Sequence, residues 1–168
     1  QMMAGSFTLN ARSTDSSGEV INITRISADD VILNMGSKSD VSANIASAHV
    51  GGDFQFSGLG FNGGLSVTDL SASGVTITTG AVFNLDAPSS QVKGDFTLSG
   101  GAMTSANITI GTLSASGNVS MQFGTMSGDL IVSAMSVGGN VTWSAEGAAG
   151  MGVRIGNISA ESAFTVTL

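Results

Sequence analysis

Residues 108–143, ITIGTLSASGNVSMQFGTMSGDLIVSAMSVGGNVTW, contain the same unit twice. Ile108 and Val119 of the first copy correspond to Leu130 and Val141 of the second, a shift of 22 residues. Self-similarity at a fixed period of this size is typical of repeat proteins, in which short units stack on one another. The stretch therefore predicts a repeat architecture, and the same unit can be sought through the rest of the chain.

The unit recurs along the chain as two alternating strand patterns. One reads apolar-x-apolar-x-x-apolar-Ser-small, as in residues 108–115. The other follows a Gly-rich corner and begins with an apolar-polar-apolar triplet, which is the signature of a half-buried strand. Successive triplets are 24, 23, 21, 21, 23, 22 and 23 residues apart. They begin at Phe7, Val31, Phe54, Val75, Phe96, Val119, Val141 and Phe164.

A unit of about 22 residues cannot bury its own apolar face, so it must stack on its neighbours. The spacing predicts an all-β, single-domain parallel β-helix, or β-solenoid, with seven to eight coils of about 22 residues. Residues 1–168 are predicted to form one domain. Within it, residues 1–20 form an N-terminal strand and a polar segment, and residues 21–168 form the regular coils.

Stacked coils place equivalent residues in columns, and the columns make detailed predictions. The triplet column nearly alternates Phe with Val, which would keep the core cross-section constant. Trp143 is predicted to be buried with Met121 and Phe164. Corner glycines such as Gly117 and Gly139 are expected to adopt positive φ. The Asp or Asn that often follows them is expected to bond to local backbone at the bend.

Composition excludes several classes of function. The chain has 168 residues, a net charge of -7 and only five Lys and Arg residues, so clustered phosphate contacts with nucleic acid are not expected. No apolar run reaches the 18 residues of a membrane span. Cys is absent, which rules out disulfides and thiolate metal sites. The sequence begins with Gln1 rather than Met, which is expected of a processed secreted product and equally of a trimmed chain.

No catalytic, cofactor-binding or metal-binding residues are predicted. His49 is the single His and occupies a column of Ser residues. Asp86 and Arg154 share one predicted outward column but lie three coils apart. General acid and base catalysis needs two groups that converge on one bond, so an enzyme is the least favoured class. Asp29 and Asp30 are interpreted as an acidic corner rather than a calcium site.

One outward face carries repeated Thr and Ser residues, such as Thr76 and Thr78 followed by Thr97 and Ser99. A flat Thr-x-Thr array is similar to the ice-binding face of solenoid antifreeze proteins. Ile32, Gln55 and Gln122 interrupt this array. Ice binding is therefore one form of an alternative function, namely that of an adhesin or ligand-binding solenoid.

The runs GDLIVSAMSVGGNVTWSAEG (residues 128–147) and GTLSASGNVSM (residues 111–121) resemble the β-helical repeats of filamentous-haemagglutinin-type bacterial surface and secreted proteins. The resemblance covers most of residues 20–168 and implies a parallel β-helix, a bacterial-type extracellular or cell-surface location and an adhesin-like role. The Asn-Pro-Asn secretion motif of that family is not present. Curli-like amyloid subunits have units of similar size, but their Gln and Asn ladder columns are not expected in this chain.

The favoured function is a non-enzymatic extracellular structural protein that polymerises end to end with itself, without nucleic acid or a cofactor. No helix, Pro or charge cluster is predicted to cap either end of the solenoid, and open coil ends expose apolar core and unpaired backbone groups. The polar stretch from Asn10 to Gly18 is interpreted as a clasp across the joint. The predicted polymer interface consists of Phe7, Thr8, Leu9, Phe164, Thr165, Val166, Thr167 and Leu168.

Overall fold

A computed structural model describes residues 5–11, 19–36, 41–58, 62–80 and 82–167. The described residues form 13 strands. They are β1 (Phe7–Ala11), β2 (Glu19–Ala28), β3 (Val31–Met35), β4 (Val41–Val50), β5 (Asp53–Gly58), β6 (Asn62–Ala72), β7 (Gly74–Thr79), β8 (Val82–Val92), β9 (Phe96–Gly100), β10 (Met103–Ala115), β11 (Val119–Val137), β12 (Val141–Ala160) and β13 (Phe164–Thr167).

Every strand pairs in parallel with the strand one coil away, which confirms the predicted all-β parallel β-solenoid. Strands β1, β3, β5, β7 and β9 lead to the first part of β11, while β2, β4, β6, β8 and β10 lead to its last part. The first ladder continues through β12 to β13 and contains eight layers, whereas the second ends at β12 and contains seven. The predicted seven to eight coils count these layers. The solenoid makes about six turns of about 22 residues.

Each coil consists of three segments. Segment A is the strand after the corner, for example β5. Segments B and C are the two halves of the next strand; in β4 they are residues 41–45 and 47–50. In β11 and β12 one continuous strand contains all three segments. Buried residues alternate as far as Ile45 and resume at Ala48, and the exposed Ala46 between them marks the bend. The coil therefore turns three times, and each segment directs every second side chain into the core.

The core consists of the columns that the sequence predicts. Phe7 pairs with Val31, Val31 with Phe54 and Phe54 with Val75 along segment A. Both Val31 and Phe54 are 0% exposed, so a large and a small side chain share the interior of neighbouring coils. This arrangement keeps the packing dense without changing the diameter of the solenoid.

The environment of Trp143 is predicted correctly only in part. Trp143 is 4% exposed and pairs with Met121 on one side, as expected. On its other side it pairs with Val166, whereas Phe164 pairs with Val141 and is 46% exposed. The prediction that Phe164 is buried together with Trp143 is therefore wrong, because Phe164 lies in the end strand β13 and remains 46% exposed. The indole Nε1 of Trp143 is buried and has no hydrogen-bond partner among the described residues.

The corner glycines are needed for close approach and not for positive φ. Positive φ is found at Gly5, Gly128 and Gly150, and neither Gly117 nor Gly139 adopts it. A Cβ atom on Gly139 would lie 2.6 Å from Asn118 Oδ1 and 2.7 Å from the backbone oxygen of Gly117. The neighbouring coil therefore occupies the space that a side chain would need, and the predicted conformational reason is wrong.

The Asp and Asn residues at the corners bond to the next coil, which corrects the predicted local hydrogen bond. Asp95 Oδ1 accepts a hydrogen bond from Asn118 N at 2.6 Å. Asn118 Oδ1 accepts one from Asn140 N at 2.9 Å, and Asn140 Oδ1 accepts one from Ala163 N at 3.2 Å. We refer to Asp95, Asn118 and Asn140 as the corner ladder. It joins four successive coils in one direction.

Replacement of Trp143 tests the core. Trp143→Ala should lower the free energy of unfolding by about 3–5 kcal/mol, because it removes a large buried side chain and leaves a cavity. Trp143→Phe should lose much less, since it keeps an aromatic ring and removes an unpaired indole N–H. Urea unfolding followed by circular dichroism measures both changes. A loss below 1 kcal/mol for Trp143→Ala would contradict the buried position.

Replacement of a corner glycine tests the close approach. Gly139→Ala should destabilise the protein by about 1–3 kcal/mol, because the new methyl group overlaps the preceding coil. Gly51→Ala is the matched control, since its Cβ atom would have its nearest neighbours at 3.8 Å, an ordinary contact distance. Chemical denaturation of the two variants gives the comparison. Equal losses of unfolding free energy in the two variants would show that the lack of space beside Gly139 is not the reason for glycine at this corner.

Candidate functional site

The structure places the predicted polymer-interface residues at the two ends of the solenoid. Phe7, Thr8 and Leu9 lie in β1, which pairs only with β3 among the described strands. Residues 164–167 form β13, which pairs only with β12 among those strands. Leu168 and residues 12–18 of the predicted clasp lie outside the described residues. Seven steps of ~4.8 Å separate β1 from β13, or roughly 34 Å.

Both end strands expose residues of columns that are buried elsewhere. Phe7 is 36% exposed, Phe164 46% and Val166 41%. The segment A residues between them in the same columns, such as Phe54 and Leu98, are 0% exposed. Each end therefore presents apolar side chains beside a strand edge, which is the kind of surface on which another strand can pair.

The remaining segments extend these apolar ends. At the end that contains β1, Leu9, Ile21 and Ile23 pack against the core but are only partly buried. At the opposite end, Val153 is 39% exposed and Ile155 is partly buried. We refer to these two surfaces as the β1 end and the β13 end. Each combines residues from more than one segment of its coil.

The side of the solenoid is polar and carries short Asn pairs. Asn34 Nδ2 donates to Asn10 Oδ1 at 2.8 Å, and Asn44 Nδ2 donates to Asn22 Oδ1 at 3.0 Å. Each pair joins adjacent coils at equivalent positions. These pairs do not extend into longer Asn columns, because Ser57 follows Asn34 and Ser66 follows Asn44 in the next coil. The 22-residue spacing of Asn22 and Asn44 predicts that they share a column, which the register of β2 and β4 confirms.

The structure brings together one Ser-His-Asp group that sequence reasoning missed. Ser47 Oγ lies 2.9 Å from His49 Nδ1, and His49 Nε2 lies 4.0 Å from Asp69 Oδ2. A catalytic triad needs a hydrogen bond between the carboxylate and the imidazole, and 4.0 Å is beyond that reach. The His49 and Asp69 side chains are also 47% and 51% exposed. This group therefore has the residue types of a triad without its fixed orientation.

The Thr and Ser face has the register that the sequence predicts. Thr76 pairs with Thr97 and Thr78 with Ser99, and the hydroxyl oxygens of Thr78 and Ser99 are 3.4 Å apart. Gln55 is in the same column as Thr76, so the interruption of the array is present in space as well as in sequence. The face is therefore regular in its backbone spacing and mixed in its side chains.

Neither a metal centre nor a membrane helix is found in the described ranges. No three His, Asp or Glu side chains there are close enough to share a metal ion. The same residues contain no helix of sufficient length and hydrophobicity to cross a membrane.

Comparison of the chain with protein-family models, with curated proteins and with solved structures finds no match. The assignment to the class of parallel β-solenoids therefore rests on the strand register and the 22-residue period of the chain itself.

Proposed function

We propose that the protein is a non-enzymatic extracellular structural protein whose solenoids stack end to end into a filament. The observation that supports this proposal is the exposure of core-column residues at both ends, led by Phe7 and Phe164. Apolar groups that are removed from water contribute roughly 25 cal/mol per Å² to association. A second copy with the same strand spacing would cover these groups.

The proposed joint continues the parallel ladder of segment A. In it, β1 of one molecule pairs with β13 of the next, so that Phe7 lies over Phe164 and Leu9 over Val166. Aromatic pairs contribute about 0.5–1.5 kcal/mol beyond the area they bury. The contact is heterologous, because the surface of one end differs from that of the other. Repetition of such a contact by translation along the solenoid axis gives an open filament rather than a closed ring.

The numbers of layers limit the size of this joint. Segment A has eight layers and segments B and C have seven among the described residues. If β1 pairs directly with β13, then β12 of one molecule and β2 of the next are not adjacent. One layer is missing between them, which adds ~4.8 Å to the normal strand spacing. Segment A carries most of the contact. Because this interface is small, we expect assembly to depend strongly on concentration.

The extracellular part of the proposal draws on composition and resemblance. The chain contains no Cys and has only 10% charged residues, with a net charge of -7. Its repeats resemble those of filamentous-haemagglutinin-type exoproteins, which implies a surface or secreted location. The same resemblance supports a structural role over an enzymatic one.

An adhesin or ligand-binding solenoid is the second candidate function. The observation that favours it is the regular face of Thr76, Thr78, Thr97 and Ser99, whose spacing is set by the ladder between β7 and β9. Ice binding through this face is one version of this candidate. A monomeric protein that causes thermal hysteresis in solution would favour this candidate over the structural one.

Sedimentation velocity tests the stacking joint. The wild-type protein should sediment faster as its concentration is raised, and negative-stain images should show rods. Phe164→Lys should remain folded, since Phe164 is already 46% exposed, and should stay monomeric over the same range. The substitution makes the net charge less negative, so increased repulsion between molecules would not explain the loss.

Ser159→Lys is the matched control for this experiment. It makes the same change of charge in the coil next to β13, but Ser159 is an exposed residue of segment C and lies outside the proposed joint. It should assemble like the wild type. A wild-type protein that remains monomeric at the highest concentration reached would contradict stacking, as would equal loss of assembly in both variants.

A further inference from the structure

Two shallow depressions lie beside each other on the outward side of segment B. One has a volume of about 330 Å³ and is lined by Asn84, Asp86 and Thr109, among others. The other has a volume of about 230 Å³ and includes Asn22. Asn44 and Ser66 line both of them. We refer to the two together as the segment B groove. It crosses five consecutive coils, a length of roughly 19 Å.

The groove exists because Ser42 and Gly64 are smaller than Asn84 and Asn107, which continue the same column in the next two coils. Gly64 pairs with Ser42 on one side and with Asn84 on the other. A Cβ atom on Gly64 would meet its nearest neighbour, the backbone oxygen of Asn84, at 3.4 Å. This is ordinary contact, so neither the backbone nor the core requires glycine at this position. The missing side chain instead deepens the surface between the Asn-rich coils.

The amide groups in the groove have fixed orientations. Asn44 Nδ2 donates to Asn22 Oδ1 at 3.0 Å, and Asn107 Nδ2 donates to Asn84 Oδ1 at 3.2 Å. Each pair uses one N–H and one oxygen, whereas a side-chain amide offers two N–H groups and an oxygen with two lone pairs. Donors and acceptors therefore both remain, on side chains that are already held in place. A preorganised surface loses less side-chain entropy when it binds a ligand.

The lining also restricts the charge and polarity of a ligand. Asp86 is the single charged residue among those that line the two depressions, and neither contains Lys or Arg. An anionic ligand would lack a cationic partner there. The large exposed apolar residues Phe7, Val153, Phe164 and Val166 lie at the end coils and not in the groove. Val20, which is 59% exposed, pairs with the lining residue Ser42 at one end of the groove but lines neither depression. Protein interfaces usually need buried apolar or aromatic anchors, so a protein partner is also disfavoured.

We propose that the segment B groove binds an extended, neutral saccharide chain. Saccharide hydroxyls both donate and accept hydrogen bonds, which matches amides, hydroxyls and a carboxylate at regular intervals along the groove. An extended chain would contact equivalent positions on successive coils, from Asn22 through Asn44 and Ser66 to Asp86. This site lies on the side of the solenoid, so it does not depend on the stacking joint.

Affinity electrophoresis tests this proposal with the intact protein in native gels. The gels contain dextran, mannan or hydroxyethyl cellulose as neutral probes, or polygalacturonate as an anionic probe. At least one neutral polysaccharide should retard the wild-type protein. Gly64→Asn should weaken that binding at least tenfold, because it adds a side chain to the groove at a position where the Cβ atom makes only ordinary contacts. Gly51→Asn, a corner substitution outside the groove, should bind like the wild type.

Each result decides the proposal. Retardation by a neutral polysaccharide that is lost only in Gly64→Asn supports it, provided that the circular dichroism spectra of both variants match the wild type. If Gly64→Asn does not fold, Asp86→Ala should show the same loss of binding. No retardation by any neutral polysaccharide, retardation by polygalacturonate alone, or equal retardation of all variants would overturn it. None of these outcomes bears on end-to-end assembly, which is measured without polysaccharide.

Discussion

The close approach of one coil to the next, at ~4.8 Å along its whole contour, is the constraint on which the rest of the structure depends. Strands satisfy it through their ladder, and backbone hydrogen bonds between coils, such as that from Gly139 N to Gly117 O at 2.9 Å, continue at the corners. Gly52, Gly117 and Gly139 meet it by leaving open the position of an Asp or Asn oxygen from the preceding coil. That oxygen accepts the backbone N–H of the residue after the glycine. The glycine and the polar residue therefore act together, one making room and the other making the bond.

This arrangement explains why a mostly uncharged surface can still specify one register. Each corner bond contributes about 0.5–1.5 kcal/mol, and it forms only if successive coils are in the correct alignment. The columns of the core reinforce that alignment, because a shift by one residue would turn every apolar side chain outward. Ser90 is an exception to the apolar character of these columns. Its hydroxyl is buried in an inward column and has no hydrogen-bond partner among the described residues. The neighbouring coils place Leu70 and Leu113 at the same position.

Much of the fold could be predicted from the sequence, because the period and the inward columns depend on local alternation alone. The segment A pairs from Phe7 to Phe164 occur in the predicted order. The errors concern interactions between coils. A Gly-Asn corner has the same sequence signature whether the glycine is needed for positive φ or for space, and only the position of the preceding coil distinguishes the two. Ser47 and Asp69 are 22 residues apart, so the repeat period itself places them in one column. The groove at Gly64 instead depends on two small residues, Ser42 and Gly64, that follow each other in neighbouring coils, which the period does not determine.

The candidate joint could be predicted only as a set of residues. The sequence indicates that β1 and β13 carry the same strand pattern and therefore belong to the same ladder. The structure places them at opposite ends of that ladder, with Phe7 and Phe164 partly exposed. X-ray fibre diffraction from aligned assemblies measures the stacking directly. If solenoids stack end to end, the ~4.8 Å strand spacing should give a strong meridional reflection, parallel to the filament axis. A ~4.8 Å reflection confined to the equator would show that the solenoids lie across the filament, and would contradict the proposed joint.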